Sequence, residues 1–232
     1  MVFTTGDNVY DSGTAAEYMN CYDPTWGQVK SRTRPTLGNH DYETWGAAGY
    51  FTYFGRHAGS VGRGYYAYNL GGWRIYALNS NCGFVACGST SAQARWLQTD
   101  LAANPYRCVL AYWHHPLFSS GGHGNNTSVK PLWDILYAHH AEVVLNGHDH
   151  HYERFARQSP NGVRTAGGIR EFVVGTGGRS HGSWSTIRRN SLARNNTTYG
   201  VLKLTLQPGS YSWRFQPVAG ATWTDSGTTS CG

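Results

Sequence analysis

The chain has 232 residues, of which 40% are hydrophobic and 14% aromatic, with 30 glycines and a net charge of +6. This composition excludes a disordered chain and predicts one loop-rich globular domain spanning residues 1–232. The basic residues are dispersed and only Arg188-Arg189 forms a doublet, which argues against nucleic-acid binding. No apolar run has membrane-spanning length, and no signal peptide precedes Gly6-Asp7.

Five segments in the first half of the chain have the patterns of regular elements. They are a β-run at 2–5, short helices at 11–20 and 26–30, and β-runs at 65–70 and 73–79. Gly71-Gly72 between the last two runs predicts a hairpin. Residues 43–64, rich in aromatic residues and glycine, are predicted to form a long loop. Ser91 is a suitable N-cap for a helix that carries Ala94, Leu97 and Leu101 at helical spacing.

The second half changes from alternating elements to consecutive strands. The β-runs are at 107–113, 143–145, 169–176, 199–206 and 211–218. A helix is predicted at 129–140, and residues 177–196 are predicted to form a loop rich in glycine and arginine. Strands alternate with helices in the first part of the chain and follow one another in the last part. This order predicts an α/β domain with mixed sheets.

The number and spacing of the cysteines indicate the redox compartment in which the protein folds. The five are Cys21, Cys82, Cys87, Cys108 and Cys231, and no two form a zinc-like C-x-x-C pair. Cys82 and Cys87 flank a short loop and are a plausible local disulfide, which fits an oxidising compartment. The odd count leaves at least one thiol without a partner in this chain.

Four turns at the ends of β-runs carry side chains that can bind metals. They are G-D-N-V-Y at 6–10, G-N-H-D at 38–41, W-H-H-P at 113–116 and G-H-D-H at 147–150. The carboxyl ends of strands are where open α/β sheets bind ligands. His148 and His150 can converge on one metal or on two neighbouring metals, and imidazole alone does not identify the ion.

These four motifs, with Tyr152-Glu153-Arg154 after the last, resemble the calcineurin-like metallophosphoesterase superfamily, most closely its purple-acid-phosphatase-like branch. The resemblance covers nearly the whole chain. It implies an α/β fold in which two mixed β-sheets form a sandwich flanked by helices, and metal-dependent hydrolysis of phosphate esters. The implied metal ligands are Asp7, Tyr10, Asn39, His114, His148 and His150.

The family pattern divides these ligands between two ions. Asp7 would bridge both ions. Tyr10 and His150 would bind the first, typically ferric iron, and the second would be held by Asn39, His114 and His148. The resemblance implies one or two divalent or mixed-valence transition-metal ions per chain, such as Fe, Zn or Mn.

The same pattern implies residues that contact the substrate. His40, His123 and Asn39 are the expected substrate-binding residues, and His40 and His123 the catalytic ones. Imidazole titrates near neutral pH, so either histidine could protonate a leaving alkoxide. Four other histidines, His115, His139, His140 and His151, are assigned no functional role. Glu153 and Arg154 are expected to orient their loop by an ion pair rather than to contact substrate.

The chain departs from the family pattern at its start. The family has an earlier Asp-x-Gly or Asp-x-His motif on the first strand, whereas no Asp precedes Asp7. We therefore expect an N-terminally truncated phosphatase, secreted or periplasmic in its full-length form. Its expected substrates are phosphorylated small molecules, phosphomonoesters with phosphodiesters as a further option. The alternative is a metal-binding fragment that is catalytically weak or silent.

A missing strand would also leave a sheet edge open at residues 2–5. An open edge presents unpaired backbone groups to other chains, so a homo-oligomer formed through this edge is expected.

Overall fold

The computed structural model describes residues 1–232. The strands are β1 Val2–Phe3, β2 Thr33–Arg34, β3 Tyr66–Leu70, β4 Trp73–Ala77, β5 Cys108–Tyr112, β6 Val143–Asn146, β7 Tyr152–Phe155, β8 Arg170–Val174, β9 Ser191–Asn195, β10 Gly200–Gln207, β11 Ser210–Pro217 and β12 Ser226–Ser230. The α-helices are α1 Ala15–Glu17, α2 Ala48–Phe54, α3 Ala92–Ala103 and α4 Lys130–Ala138. A π-helical turn at Tyr18–Tyr22 continues α1, and 3₁₀ segments are at Trp26–Arg32, His40–Tyr42, Trp45–Ala47, Gly55–Ala58 and Thr127–Val129.

The largest sheet has seven strands in the order β3-β4-β5-β6-β8-β7-β9. Its central strands β4, β5, β6 and β8 run parallel, and the outer strands pair antiparallel. Every residue of β5 and β6 is buried, as expected for strands that are covered on both faces. Because neighbouring parallel strands end at the same edge, the residues that follow β5 and β6 are brought together there.

Two smaller sheets and two helices cover the faces of the large sheet. The antiparallel sheet β10-β11-β12 and the parallel pair β1-β2 pack on one face, where Phe3 and Leu204 join a buried cluster around Leu110. Leu97 of α3 and Trp133 of α4 are buried in the cluster on the other face. This confirms the predicted α/β sandwich, although the C-terminal sheet is purely antiparallel. None of the helices has the length and apolarity that crossing a membrane requires.

The long loop predicted at residues 43–64 is wrong, because this segment contains α2. Tyr50, Tyr53 and Phe54 of this helix are buried and pack with Tyr18 and other aromatic residues in a third cluster. Residues 50, 53 and 54 lie on one face of a helix, so the aromatic spacing was the signal. The flanking glycines obscured it.

Most other predicted elements are confirmed. The Ser91 hydroxyl accepts a hydrogen bond from the Ala94 N–H at 3.1 Å, capping α3, and α4 lies within the predicted helix. Gly71 and Gly72 adopt φ of 57° and 83° in the β3–β4 hairpin, a conformation that glycine favours. Strand β9 lies inside the predicted 177–196 loop, and β7 and β12 were not predicted.

Two disulfides tie the chain together. The predicted Cys82–Cys87 bond is confirmed, and a second bond joins Cys108 at the start of β5 to Cys231. Cys21 is the free thiol, and it is exposed.

Candidate metal centre

Residues from four of the predicted turns meet around one nitrogen atom, Nε2 of His114. This atom lies 3.3 Å from Asp7 Oδ2, 3.0 Å from Asn39 Oδ1 and 3.0 Å from His148 Nδ1. Each of the four residues follows the end of a strand, β1, β2, β5 or β6. The structure therefore brings together four of the six predicted ligands, from segments separated by up to 141 residues (148 − 7).

The chemistry of these four atoms fits a metal ion. Nδ1–H of His114 donates to the Thr5 carbonyl oxygen at 2.8 Å, which leaves the Nε2 lone pair directed into the site. The neighbours of that lone pair are a carboxylate oxygen, an amide oxygen and a second imidazole nitrogen. Lone pairs that face one another repel unless a cation or proton lies among them. Carboxylate, amide and imidazole are all ligands of divalent transition metals.

The backbone at this site is constrained. Asp7 and His148 have φ of 50° and 68°, in the left-handed region that non-glycine residues rarely adopt. Strained backbone of this kind persists where surrounding contacts enforce it, and it concentrates at functional sites. Gly38 lies against Asp7 so closely that a side chain at position 38 would overlap the carboxylate.

The charges at the centre are strongly coupled. Burial alone would raise the pKa of Asp7, but the charge of His114 and a hydrogen bond from it hold this pKa well below its usual range. Burial lowers the pKa of His114, and Asp7 more than offsets this and raises it. Behind them lies Asp41, which is fully buried and accepts hydrogen bonds from Gly38 N at 2.8 Å and Tyr18 OH at 2.5 Å. Burial and then the nearby charge of Asp7 raise the pKa of Asp41 to about 6.

The other two predicted ligands form a looser group on one side. Tyr10 OH donates to Asp7 Oδ2 at 3.2 Å and lies 3.4 Å from Nε2 of His150. Nδ1–H of His150 donates to the Ser180 carbonyl oxygen at 2.8 Å, so its Nε2 is turned towards Tyr10. Asp7 therefore connects the compact group of four with this pair, as a bridging residue would.

The two predicted catalytic histidines flank the ligands at separate points. The His40 ring centroid lies 4.6 Å from that of Tyr10, and the His40 backbone N–H donates to Asp7 Oδ1 at 3.0 Å. The His123 ring centroid lies 4.3 Å from that of His148. The His123 backbone N–H donates to the buried Asp149 carboxylate at 2.9 Å, which holds the loop after β5 over the site.

His115, to which the sequence assigned no role, lies within the centre. Its side-chain nitrogen joins those of His114 and His148 in a group whose ligand atoms lie within 4.8 Å of one another. Its Nδ1 lies 2.9 Å from the Ser80 hydroxyl, and burial, then His114, lowers its pKa to about 3. The doublet in W-H-H-P was the only sequence signal, because Ser80 lies on a distant segment.

Two of the remaining histidines, His139 and His140, lie away from the ligands, because they follow α4 and precede β6, whose other end carries His148. His151 is buried beneath Trp184, with ring centroids 4.4 Å apart, and its Nε2 lies 3.4 Å from the Glu153 carboxylate.

Glu153 and Arg154 do not pair with each other. Arg154 forms an ion pair with Asp225 at 2.7 Å, while the Glu153 carboxylate accepts a hydrogen bond from the Ser120 hydroxyl at 2.6 Å. Both contacts connect strand β7 with other segments of the chain.

A mixed α/β sandwich with carboxylate, amide and imidazole ligands at its strand ends is the architecture expected of a metallophosphoesterase. The family model for the calcineurin-like phosphoesterases matches residues 1–152, and the chain belongs to this family.

Curated relatives point to the purple-acid-phosphatase-like branch. Purple acid phosphatase 22 of Arabidopsis thaliana is 25% identical over 92% of this chain and 56% of its own length. Purple acid phosphatase 15 of the same plant is 30% identical over 52% of this chain and 23% of its own length. The chain thus spans only part of each of these relatives.

Solved structures share the fold. The purple acid phosphatase PPD1 from yellow lupin (Lupinus luteus) seeds superposes with a TM-score of 0.80 at 19% identity, covering 99% of this chain and 46% of that one. GAP50, described as the anchor in the inner membrane complex of Plasmodium, superposes with a TM-score of 0.71 at 13% identity. That match covers 97% of this chain and 78% of GAP50.

Proposed function

We propose that this protein hydrolyses phosphate esters of small molecules, using metal bound by Asp7, Asn39, His114 and His148. The observation that carries the proposal is the convergence of four ligand atoms, in which three lie within 3.3 Å of the fourth, Nε2 of His114. Membership of the calcineurin-like phosphoesterase family and the purple acid phosphatase relatives support the same chemistry.

Bound metal would supply Lewis acidity, binding the phosphoryl oxygens and acidifying a water molecule that attacks phosphorus. The protein supplies the remaining functions. One carboxylate among neutral ligands leaves a net positive site, which attracts a phosphate dianion. His40 and His123 lie beside the ligands. Their imidazole N–H groups would bind phosphoryl oxygens, assisted by Asn39, and would protonate the leaving alkoxide.

We propose one or two ions of iron, zinc or manganese per chain. The compact group of Asp7, Asn39, His114 and His148 would bind its ion more readily. The other ion would rely on Asp7, Tyr10 and His150, the looser group. A protein in which only the compact group holds an ion would be the catalytically weak or silent metal-binding alternative.

The test is hydrolysis of p-nitrophenyl phosphate before chelation, after chelation and after metal is returned. We expect activity to disappear on chelation and to return with metal. Asn39→Ala and His148→Ala should lower the rate by at least about 100-fold, because each removes a ligand of the compact group. His140→Asn removes an exposed imidazole at the other end of β6 and should leave the rate unchanged.

Two results would argue against this function. Hydrolysis that survives chelation would mean that no metal is required. Metal binding without hydrolysis would favour the silent alternative. Rates with bis-p-nitrophenyl phosphate, measured in parallel, compare diester with monoester hydrolysis.

We also propose a secreted or periplasmic location, supported by two disulfides that would not persist in a reducing compartment. We also propose that the side of β1 not paired with β2 forms a homo-oligomer contact. A constant monomer mass in light scattering over a wide concentration range would refute the latter.

A further inference from the structure

The loop that connects β8 with β9 is anchored on one of the candidate ligands. His150 Nδ1–H donates to the Ser180 carbonyl oxygen at 2.8 Å, and the Gly182 N–H donates to the His150 carbonyl oxygen at 2.9 Å. These two contacts attach the loop to both the side chain and the main chain of His150. They also fix the residue immediately before Ser180, which is Arg179, at the rim of the metal centre.

The Arg179 guanidinium lies over the ring of a second candidate ligand. Its Cζ is 4.6 Å from the centroid of the Tyr10 ring, within the range of a cation–π contact. The hydroxyl of the same ring is 3.2 Å from Asp7 Oδ2. The positive charge of Arg179 is therefore separated from the Asp7 carboxylate, and from a metal bound there, by about the width of the Tyr10 ring.

This cation is available to a ligand. One guanidinium nitrogen lies 3.1 Å from the Asp11 carboxylate, in an ion pair whose side chains are 44% and 71% exposed. Ion pairs exposed to this degree contribute little free energy, so an incoming anion can replace Asp11. A guanidinium has five N–H donors in a planar fork that matches carboxylates and phosphates. Stacking on Tyr10 keeps this fork oriented beside the site.

We propose that Arg179 determines specificity by binding a second anionic group of the substrate. The preferred substrates would be phosphomonoesters that carry a further carboxylate or phosphate a few bonds from the scissile group. This proposal rests on the proposed phosphoesterase function, and it names the substrate class of the same site. Asp11 then acts as an internal competitor that occupies Arg179 when the ligand has no second anion.

The test compares two phosphonates that differ by one charge. Phosphonoacetate has a carboxylate where ethylphosphonate has a methyl group. Dissociation constants for both are measured by calorimetry on protein equilibrated with Zn²⁺ and freed of unbound metal. The wild-type protein should bind phosphonoacetate about ten-fold more tightly than ethylphosphonate, the effect of one charge-assisted hydrogen-bonded contact.

Two variants should move this preference in opposite directions. Arg179→Gln should abolish it, leaving equal affinities, whereas Asp11→Asn should increase it by freeing the guanidinium. Arg107→Gln is the matched control, because it removes the same charge from an exposed arginine just before β5, at the end of the strand that lies away from the site. Ethylphosphonate should bind all four proteins equally.

Hydrolysis of p-nitrophenyl phosphate, which has no second anion, is measured in parallel and should be equal in the wild-type protein and in Arg107→Gln. Equal wild-type affinity for the two phosphonates, or a preference retained in Arg179→Gln, would overturn the proposal. If Arg179 only anchored the loop, its substitution would weaken both phosphonates alike. Absence of p-nitrophenyl phosphate hydrolysis in every protein would instead count against the phosphoesterase function, because the binding comparison does not require turnover.

Discussion

Replacing Gly38 with alanine tests whether the contact between the second and first turns positions the Asp7 carboxylate. A Cβ at residue 38 would overlap both Oδ1 and the backbone N of Asp7 and would lie 2.7 Å from Cγ. The backbone N cannot rotate away from this Cβ, and the Asp7 backbone is already held at φ 50°. The carboxylate must therefore shift by roughly 1 Å, since ordinary carbon contacts begin near 3.5 Å.

The size of the effect follows from two terms. Overpacking of this kind costs about 1–3 kcal/mol of folding stability. Ligand distances in metal sites tolerate only about 0.2 Å, so displacing Asp7 should weaken metal affinity by about 10–100-fold. The second effect should be measurable even where the protein remains folded.

Thermal unfolding of the metal-free protein measures the change in stability. Calorimetric titration of Zn²⁺, at a temperature at which both proteins are folded, measures the metal affinity. Gly167→Ala is the control, since a Cβ at that position meets nothing within 4 Å. Gly38→Ala protein that is folded and binds Zn²⁺ within two-fold of the wild-type affinity would refute the placement of Asp7 in the metal centre.

Three further predictions concern stability, each checked by urea unfolding. Arg154 and neighbouring hydrogen bonds outweigh burial and lower the pKa of Asp225, so Asp225→Asn should cost about 2 kcal/mol at pH 7. That cost should shrink as the pH falls below about 4, the ordinary pKa of an aspartate in the unfolded chain, and should be lost once the pH has passed through the lowered pKa of the folded state. A pH-independent cost would contradict this. Burial raises the pKa of Glu171 well above its usual range, so wild-type stability should fall as the pH rises through that folded pKa. Glu171→Gln should therefore be more stable than wild type at pH 8 and equal to it near pH 4, and a variant less stable at pH 8 would refute this. Serine at both Cys108 and Cys231, which are 123 residues apart, should cost about 5 kcal/mol by chain entropy, and a loss below 1 kcal/mol would argue against that account.

The strand-end motifs could be predicted because their signals are local. Short apolar runs rich in β-branched residues, such as Val143–Leu145, are typical of buried strands, and a polar residue directly after such a strand lies at the sheet edge. Parallel pairing of β5 with β6 then makes His114 and His148 neighbours without further information. The fold class follows from the same alternation of patterns.

The remaining features depend on contacts between distant segments. Strand β12 has the sequence S-G-T-T-S, in which no apolar alternation marks a strand, since as an edge strand it relies on pairing with β11. The orientation of His115 depends on Ser80, and that of Arg179 on Tyr10, which lies 169 residues away (179 − 10). Tertiary packing alone determines these contacts, and no local pattern reports them.

The most direct test of metal-dependent phosphoesterase activity is to measure p-nitrophenyl phosphate hydrolysis while metal is returned stepwise to chelated protein, with bound ions counted by elemental analysis at each step. We expect the rate to rise from zero in proportion to bound metal and to reach a plateau at one or two ions per chain. In His114→Ala the rise should be absent, because Nε2 of this residue lies at the centre of the ligand group. A rate that does not depend on bound metal, or chelated protein that takes up none, would contradict the proposed metallophosphoesterase function.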